Sequence, residues 1–341
     1  MRKQKNSYSD RWRTIAGASQ SIQVLEALKK RRPLASLGFL EKYDGRWDLR
    51  GFVFPSATVT PVSEFDHHVV SRVEGMAELR KTVLQDVDFS HAVLSDSVWE
   101  YCVWQNVRCC EAEVKNVRFR VCNLTDVDFQ NSDLRDCRFA DNRGKNASRL
   151  ERVTFAHSDL RRSAHGIETY HECDFSYANL ADVSFEGASF IRCKFAGLME
   201  SVSFFLHSRL TITGFFPWLN ANPEKISSRF ENVDFTKAIL MGVDFRGVDL
   251  SSCRFPCDED HLVIYNQNRV FLEARDIIEA TWEGEDRRIA LSLVTKGHLV
   301  HAKKHQPIDV MNKQLEIEIL GKDFGEKYFT LLSKINAAML G

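Results

Sequence analysis

Bulky apolar residues recur at every fifth position between residues 173 and 190, at Phe175, Leu180, Phe185 and Phe190. A small or β-branched residue lies two positions before each of them, and the positions between are mostly polar. An α-helix repeats apolar residues near a period of 3.6 and a strand near 2, so neither element alone explains a period of five. The pattern predicts a closed tube, of which each wall contributes one bulky and one small inward side chain. The small residues are Cys173, Ala178, Val183 and Ala188.

Several five-residue segments share one order of residue types: a small residue, Asp or Asn, Leu or Phe, and two polar positions. They include SDLRD, ANLAD, VDFTK and VDLSS. In this motif the sequence resembles the pentapeptide-repeat family. The resemblance implies a mainly β fold, a right-handed quadrilateral parallel β-helix in which four five-residue walls complete one coil of twenty residues.

Residues twenty apart should therefore stack in columns. One Phe column is predicted from Phe155 through Phe215 to Phe255, and the period continues upstream from Leu84 to Phe139 with its phase shifted by one residue. We expect a bulge or small loop within residues 140–150 to absorb this shift, with Gly144 supplying an unusual backbone angle. Trp99 and Trp104 fall on inward positions, so we interpret them as core.

The period predicts a solenoid over residues 48–256, with about ten coils and a length on the order of 50 Å at the strand spacing of ~4.8 Å. Residues 60–78 are expected to form an irregular coil. Between Phe195 and Phe230 we expect the coils to continue through Phe205, Leu210 and Phe215, with only the segment FPWLNANPEK departing from the pattern.

Both ends of such a solenoid expose strand edges that need covers. Residues 257–341 predict three or four helices that form a capping or oligomerisation domain, with Asp258 to Asp260 as an acidic helix start. Residues 1–47 predict a basic, partly helical segment with 11 Lys and Arg against 4 Asp and Glu. The solenoid holds 24 basic and 29 acidic residues, so its net charge is −5.

Composition is ordinary for a globular protein, with 44% hydrophobic and 27% charged residues. There is no run of eighteen apolar residues and no apolar signal core near the start, so we expect a cytoplasmic protein without a membrane partner. Six of the nine Cys fall on small inward positions, which predicts reduced thiols packed in the core. They are Cys102, Cys122, Cys137, Cys173, Cys193 and Cys253.

The sequence has no phosphate-binding loop, nucleophile elbow or dinucleotide fingerprint. A tube filled by Phe and Leu also leaves no pocket for catalysis, so we expect no enzyme and no cofactor. His298, His301 and His305 have helical spacing and form either a metal site or, as we favour, a basic face near a helix end. A second set that we interpret as structural is Cys253, Cys257 and His261.

Two surfaces are candidate partner sites. If Phe205 points inward, its neighbours form an outward apolar wall, covered either by the chain's own termini or by a partner. The wall consists of Phe204, Leu206, Ile212, Phe216 and Trp218. A basic patch, which either contacts phosphates or is simply solvated, joins the N-terminal run to the segment near residue 145. It consists of Lys29, Lys30, Arg31, Arg32, Arg143, Lys145 and Arg149.

The resemblance implies a binding or scaffolding role. The best-described relatives are dimeric rods that imitate the shape and charge of duplex DNA and shield bacterial type II topoisomerases such as gyrase. A charge of −5 is a weak imitation of a polyanion, so we expect first a non-catalytic module that binds a protein partner or a second copy of itself. DNA mimicry toward a topoisomerase is the alternative, and nucleic-acid binding through the basic N-terminus is the third hypothesis.

Overall fold

The computed structural model describes residues 2–54, 58–65, 68–74, 76–139, 147–205, 228–245, 247–298 and 308–340. Its central part winds into a β-solenoid, preceded by short helices and followed by further helices, and this confirms the predicted fold class. The division into three parts at residues 47/48 and 256/257 remains a prediction.

The largest wall is a nine-stranded sheet in which only the first pair of strands is antiparallel. In spatial order its strands are Lys42–Tyr43, Arg46–Asp48, Val83–Asp88, Val103–Arg108, Asn123–Asp128, Arg149–Glu151, Thr169–His171, Ser189–Ile191 and Phe230–Glu231. Three-stranded parallel sheets build the other walls. They are Ala77–Arg80 with Ser97–Glu100 and Arg118–Arg120, Ala164–His165 with Ser184–Glu186 and Ser203–Phe205, and Asp174–Ser176 with Lys194–Glu200 and Asp234–Met241.

A left-handed residue at each corner explains the period of five. Two residues after the inward Leu84, Asp86 has φ 54°, and two residues after the inward Phe89, His91 has φ 61°. Because such a residue turns an extended chain sharply, one per repeat is enough to start the next wall. Asp, Asn and His tolerate this conformation better than most side chains, which favours them at the corners.

The Asp or Asn of the repeat motif closes several corners. Oδ1 of Asp128 accepts a hydrogen bond from the backbone N–H of Gln130 at 2.9 Å, and Oδ1 of Asp174 accepts one from Ser176 at 2.7 Å. This Asx turn satisfies a backbone donor that the strand ladder does not reach at the bend. The second position of the motif is thus polar for a structural reason.

Phe rings stack face to face along the interior. The centroids of Phe155 and Phe175 are 4.9 Å apart and those of Phe175 and Phe195 are 4.8 Å apart. Phe195 then stacks directly on Phe235 at 5.1 Å. The predicted column is confirmed for these described rings, and Phe215 lies outside the described residues. Trp99 and Trp104 are fully buried, as predicted.

The wall that contains Phe190 continues directly at Phe230. Phe190 pairs with Phe230 in adjacent strands, and the rings of Phe204 and Phe230 lie 5.4 Å apart at neighbouring walls. The predicted continuation through Leu210 falls on residues 206–227, and the β-solenoid has about six turns, fewer than predicted. Residues 206–227 themselves lie outside the described part of the chain.

The first partial coil stacks directly on residues 84–94. The N–H of Leu49 donates a hydrogen bond to the carbonyl of Asp88 at 2.9 Å. Val53 and Val93 form a parallel β-bridge. The strands Thr58–Phe65 and His68–Glu74, which lie between these stacked segments along the chain, pair as an antiparallel hairpin. A hairpin thus replaces the predicted irregular coil.

The phase shift near residue 145 is confirmed. Leu124 pairs with Leu150, a spacing of 26 residues instead of twenty. Six added residues shift the five-residue phase by one, as the sequence required. Residues 140–146, with Gly144, lie outside the described part.

Two helices cover the start of the solenoid, α1 (Arg2–Arg13) and α2 (Ile15–Lys29), followed by a 3₁₀ turn at Leu34–Ser36. The Trp12 ring packs edge-on against Phe52 with centroids 5.1 Å apart, and its Nε1–H donates to the carbonyl of Arg50 at 2.9 Å. Buried side chains of α2 join the same core as the solenoid.

Among the described residues beyond the last coil there are four helices and a π-helical turn at Leu293–His298. They are α3 (Gln267–Thr281), α4 (Gly284–Ser292), α5 (Lys313–Leu320) and α6 (Lys322–Leu340). Between the rod and these helices, the strands His261–Ile264 and Asp309–Asn312 pair antiparallel. Residues 258–260 precede a strand, so the helix start predicted there is wrong.

Candidate interaction surfaces

A polar cluster interrupts the apolar interior of the solenoid at residues 163–170. His165 takes the place of a Phe in its column, between Phe139 at 5.0 Å and Phe185 at 4.5 Å. Its Nε2 lies 2.8 Å from Ser163 Oγ, and its Nδ1 lies 2.5 Å from the Tyr170 hydroxyl. Burial lowers the pKa of His165 to about 3, so the ring is neutral.

This cluster is closed to substrates. Ser163 and His165 have the spacing of a nucleophile and its base, but they are only 4% and 2% exposed. We therefore interpret the cluster as a satisfied set of buried polar groups. Sequence reasoning missed His165, although its spacing of 26 from Phe139 equals the spacing of the phase shift.

Ion pairs join successive coils along the outer walls. Arg152 donates to both carboxylate oxygens of Asp126, at 2.6 and 3.0 Å, and Arg162 donates to both oxygens of Asp136, at 2.8 Å each. These bonds lower the pKa of both carboxyls. Acidic charge on these walls is thus balanced locally. Further pairs are Arg192 with Glu172, Arg254 with Asp234, and Arg161 with Asp159.

A groove of about 310 Å³ lies between the end of α2 and the first complete coil, and we call it the α2 groove. Its lining contains cations and apolar side chains but no Asp or Glu. The cations are Arg31, Arg32 and Lys81, and the apolar residues are Leu28, Pro33, Leu34, Ala35, Trp47 and Val83.

An exposed apolar patch lies on another wall. Leu198 and Ile239 are paired across adjacent strands and are 50% and 48% exposed. Tyr177, 57% exposed, lies against Gly197 on the next coil, where a Cβ would come within 2.8 Å of the Tyr177 ring. Sequence reasoning missed this patch. The available signal was two large apolar residues, Leu198 and Ile239, on repeat positions that are usually polar.

A family model described as pentapeptide repeats matches eight copies in this chain, over residues 105–141, 171–198 and 226–255. The matched stretches lie in the solenoid. The solenoid of this chain is therefore built from pentapeptide repeats. No curated protein sequence matches it.

Several solved pentapeptide-repeat structures are similar to this one at low identity. QnrB1, a plasmid-mediated fluoroquinolone resistance protein, is 14% identical over 53% of this chain and 83% of its own, with a TM-score of 0.27. HetL, from the cyanobacterium Nostoc sp. and involved in heterocyst differentiation regulation, is 14% identical over 52% of this chain and 89% of its own, with a TM-score of 0.19.

The apolar wall predicted for this pentapeptide-repeat protein is corrected at Phe204. Phe204 is 1% exposed and stacks on Phe185 at 5.1 Å, because the strand Ser203–Phe205 pairs after only 19 residues and so shifts the phase by one. Its predicted outward orientation is wrong. The other predicted members lie outside the described residues: Leu206, Ile212, Phe216 and Trp218.

The predicted basic patch is divided in the structure. Lys29 to Arg32 form the exposed end of α2, and Arg31 and Arg32 enter the α2 groove. Arg149 is exposed on the wall that carries Val83, three strands further along, on the order of 14 Å at ~4.8 Å per strand. Arg143 and Lys145 lie outside the described residues.

His298 stacks on Phe271 at 4.1 Å, and its Nδ1 lies 3.9 Å from an Asp309 oxygen. His301 and His305 lie outside the described residues. Within the described ranges, no group of three His, Cys, Asp or Glu side chains is placed to hold a metal ion. No helix in those ranges is long and apolar enough to span a membrane.

His261 connects the last coil to the strand pair beyond it. Its Nε2 accepts a hydrogen bond from the N–H of Leu240 at 3.0 Å, and its Nδ1 lies 2.7 Å from Asp258. Cys253 is partly buried and Cys257 is exposed, and all nine cysteines are free thiols. The predicted packing of the inward thiols is confirmed for Cys102, Cys122, Cys137, Cys173 and Cys193 but not for Cys253.

Proposed function

We propose that this pentapeptide-repeat protein is a non-catalytic scaffold that presents its outer walls and its N-terminal end to a protein partner. The observation that carries the proposal is the filled interior: the stacked columns of Phe, Trp and Leu are almost completely buried, so binding groups are on the outside. Parallel strands hydrogen-bonded from coil to coil hold these outer side chains at fixed spacing, which lowers the entropic cost of binding.

Affinity capture on the full chain tests this proposal. We expect the immobilised protein to retain a specific protein from extracts of its native host, and Tyr177→Glu or Arg32→Glu to reduce retention if the patch or the groove contributes. Retention of no protein by the wild-type chain, or turnover of a small-molecule substrate, would contradict the scaffold role.

DNA mimicry toward a topoisomerase is the alternative function. It requires a continuous negative surface, whereas the carboxylates of Asp126, Asp136 and Asp159 are neutralised by Arg within 3 Å. We therefore expect no change when the protein is added to a gyrase supercoiling assay with or without a quinolone. Protection or inhibition at stoichiometric amounts would favour mimicry instead.

A second copy of this chain is the other candidate partner. Sedimentation of the full chain over a range of concentrations separates the two cases, because self-association appears without any added protein. If a stable dimer forms and prevents binding of the host protein, the partner is a second copy of this chain and not a different protein.

A further inference from the structure

We propose that the α2 groove binds an acidic peptide segment that carries an apolar anchor residue. This inference rests on the proposed scaffold function and specifies the chemistry of the partner. The groove combines three cations with an apolar lining and lies where α2 meets the solenoid, so two parts of the chain build it.

The cations of the α2 groove are available for a ligand. Within the described part of the chain, Arg31, Arg32 and Lys81 form no ion pair, whereas Lys30 on the same helix end pairs with Glu26 at 2.7 Å. Most wall arginines described above are also paired. Glu26 interacts with Arg32 electrostatically but is already paired with Lys30. Cations that form no ion pair, around a partly enclosed surface, favour a ligand that supplies carboxylates.

Cations often lie at a helix C-terminus simply because they offset its dipole. Here the backbone already satisfies the end of α2: the N–H of Arg31 donates to Leu28 O at 3.1 Å and that of Arg32 donates to Ala27 O at 2.8 Å. Arg31 also has φ 57°, a position where Gly is usual. Lys81 belongs to the solenoid and has no part in the helix end. Capping of α2 therefore does not explain the three cations together.

The apolar part of the groove suits a side chain of a partner. Val83 is 64% exposed at the groove edge and pairs with the partly buried Val103 on the next strand, whereas the two strands after it carry polar Asn123 and Arg149. A volume of about 310 Å³ is near the lower limit for ligand pockets. It admits one or two side chains of a peptide that continues over the surface.

A nucleic acid is less well matched. A duplex follows a track of unpaired cations, but two basic residues next to the groove lining are paired, Arg46 with Asp44 and Arg80 with Glu100. A short acidic segment needs complementary charge only at the groove itself.

Fluorescence anisotropy with a labelled peptide, DEDLFEDE, tests the proposal on the full-length protein at physiological salt. We expect the Arg32→Glu/Lys81→Glu variant to bind this peptide roughly tenfold more weakly than wild type. The matched control is Lys29→Glu/Arg149→Glu, which changes the charge equally at exposed positions outside the lining and should change affinity less than about twofold.

The apolar contribution is tested separately. We expect the peptide DEDSSEDE to bind roughly tenfold more weakly than DEDLFEDE, and Val83→Asp to reduce the difference between the two peptides, while Ile239→Asp on the distant patch leaves it unchanged. Circular dichroism of each variant confirms that it is folded.

Four results would overturn the inference: no binding of either peptide, equal weakening by the two charge-reversal variants, tighter groove-dependent binding of a DNA duplex, or groove-dependent self-association. Host-protein capture distinguishes this failure from that of the scaffold role. If Arg32→Glu/Lys81→Glu still captures the host protein at the wild-type level, the scaffold proposal stands and the groove inference falls.

Discussion

At the scale of single residues, the corners of the solenoid carry backbone strain. Val121 has φ 53°, a left-handed conformation that β-branched side chains tolerate poorly. The corresponding corner residues one repeat before and one repeat after it are Asn116 and Asp126, which adopt the left-handed conformation more easily.

We expect Val121→Asn to raise the free energy of unfolding by about 1 kcal/mol, because Asn relieves this strain without disturbing the inward side chains. Urea denaturation followed by circular dichroism measures it. The reverse change at an exposed corner, Asn131→Val with φ 58°, should lower stability by a similar amount. If both variants raise the free energy of unfolding, or both lower it, backbone strain at the corner is not the cause of the change.

The buried His165 should make stability depend on pH. Its pKa is about 3 in the folded protein and about 6.5 when unfolded, so below about pH 6.5 only the unfolded chain binds the proton. Stability is therefore full above about pH 6.5 and falls as the pH drops toward the folded pKa, by up to about 1.4 kcal/mol per pH unit.

We expect the double variant His165→Phe/Tyr170→Phe to flatten this pH dependence. The double change is needed because removing His165 alone leaves the buried Tyr170 hydroxyl without its partner. Thermal unfolding from about pH 7 to 4 measures the slope. His157→Asn, at an exposed corner, is the control and should leave the slope unchanged; an unchanged slope in the double variant would exclude His165 as its source.

At the scale of elements, the packing of α1 on the first coil depends on Gly51. This residue has φ 68°, and a Cβ there would lie 2.4 Å from the backbone carbonyl carbon of Tyr8 in α1. Gly45 has φ 76° with nothing within 4 Å of its Cβ position, so it offers the same backbone strain without the clash.

We expect Gly51→Ala to displace α1 and to speed cleavage by trypsin near Arg31 and Arg32, whereas Gly45→Ala costs only about 1 kcal/mol of strain. Limited proteolysis with mass spectrometry compares the two variants. Equal cleavage rates would mean that α1 does not depend on this close approach.

The C-terminal helices should respond to pH through Glu316. Burial raises the pKa of Glu316 to about 7, helped by the nearby Asp309 carboxylate. An acid whose pKa is raised on folding destabilises the fold as the pH rises from its unfolded value near 4.5 to the folded value near 7. The total loss is roughly 3 kcal/mol.

We expect Glu316→Gln to remove most of this loss, so that the helices of the variant are more stable at about pH 8 than those of wild type. Hydrogen exchange of α5 and α6 at about pH 5 and 8 measures it. Glu318→Gln, exposed on the same helix, is the control. Identical exchange in wild type and Glu316→Gln at the higher pH would contradict the assignment.

At the scale of the whole molecule, the columns continue past residues 206–227. Phe190 pairs directly with Phe230, and Ser228 and Phe230 take the small and bulky inward positions that would follow Phe204 after one corner. We expect a protein in which a single Asn replaces residues 206–227 to keep the solenoid, with Asn at the left-handed corner.

Circular dichroism and the unfolding midpoint of this shortened protein provide the measurement. A second variant with a single Pro at the same place, which excludes the left-handed corner, should be clearly less stable. Loss of the fold with Asn as well as Pro would show that the removed segment supplies part of the core.

The sequence repeat by itself determined the period of five, the inward Phe columns and the buried cysteines. The reason is that the same five-residue pattern recurs many times, and each copy specifies its own wall. Many corners use an Asp or Asn and one left-handed residue that are close in sequence, so neighbouring residues suffice to specify them.

Tertiary structure decided which coil stacks on which. The 21 extra residues between Phe204 and Phe230 are compatible with one more coil or with an excursion, and only the direct stacking of Phe195 on Phe235 distinguishes them. The same holds for the burial of His165 and for the α2 groove, because each depends on contacts between segments far apart in sequence, for which the local pattern carries no information.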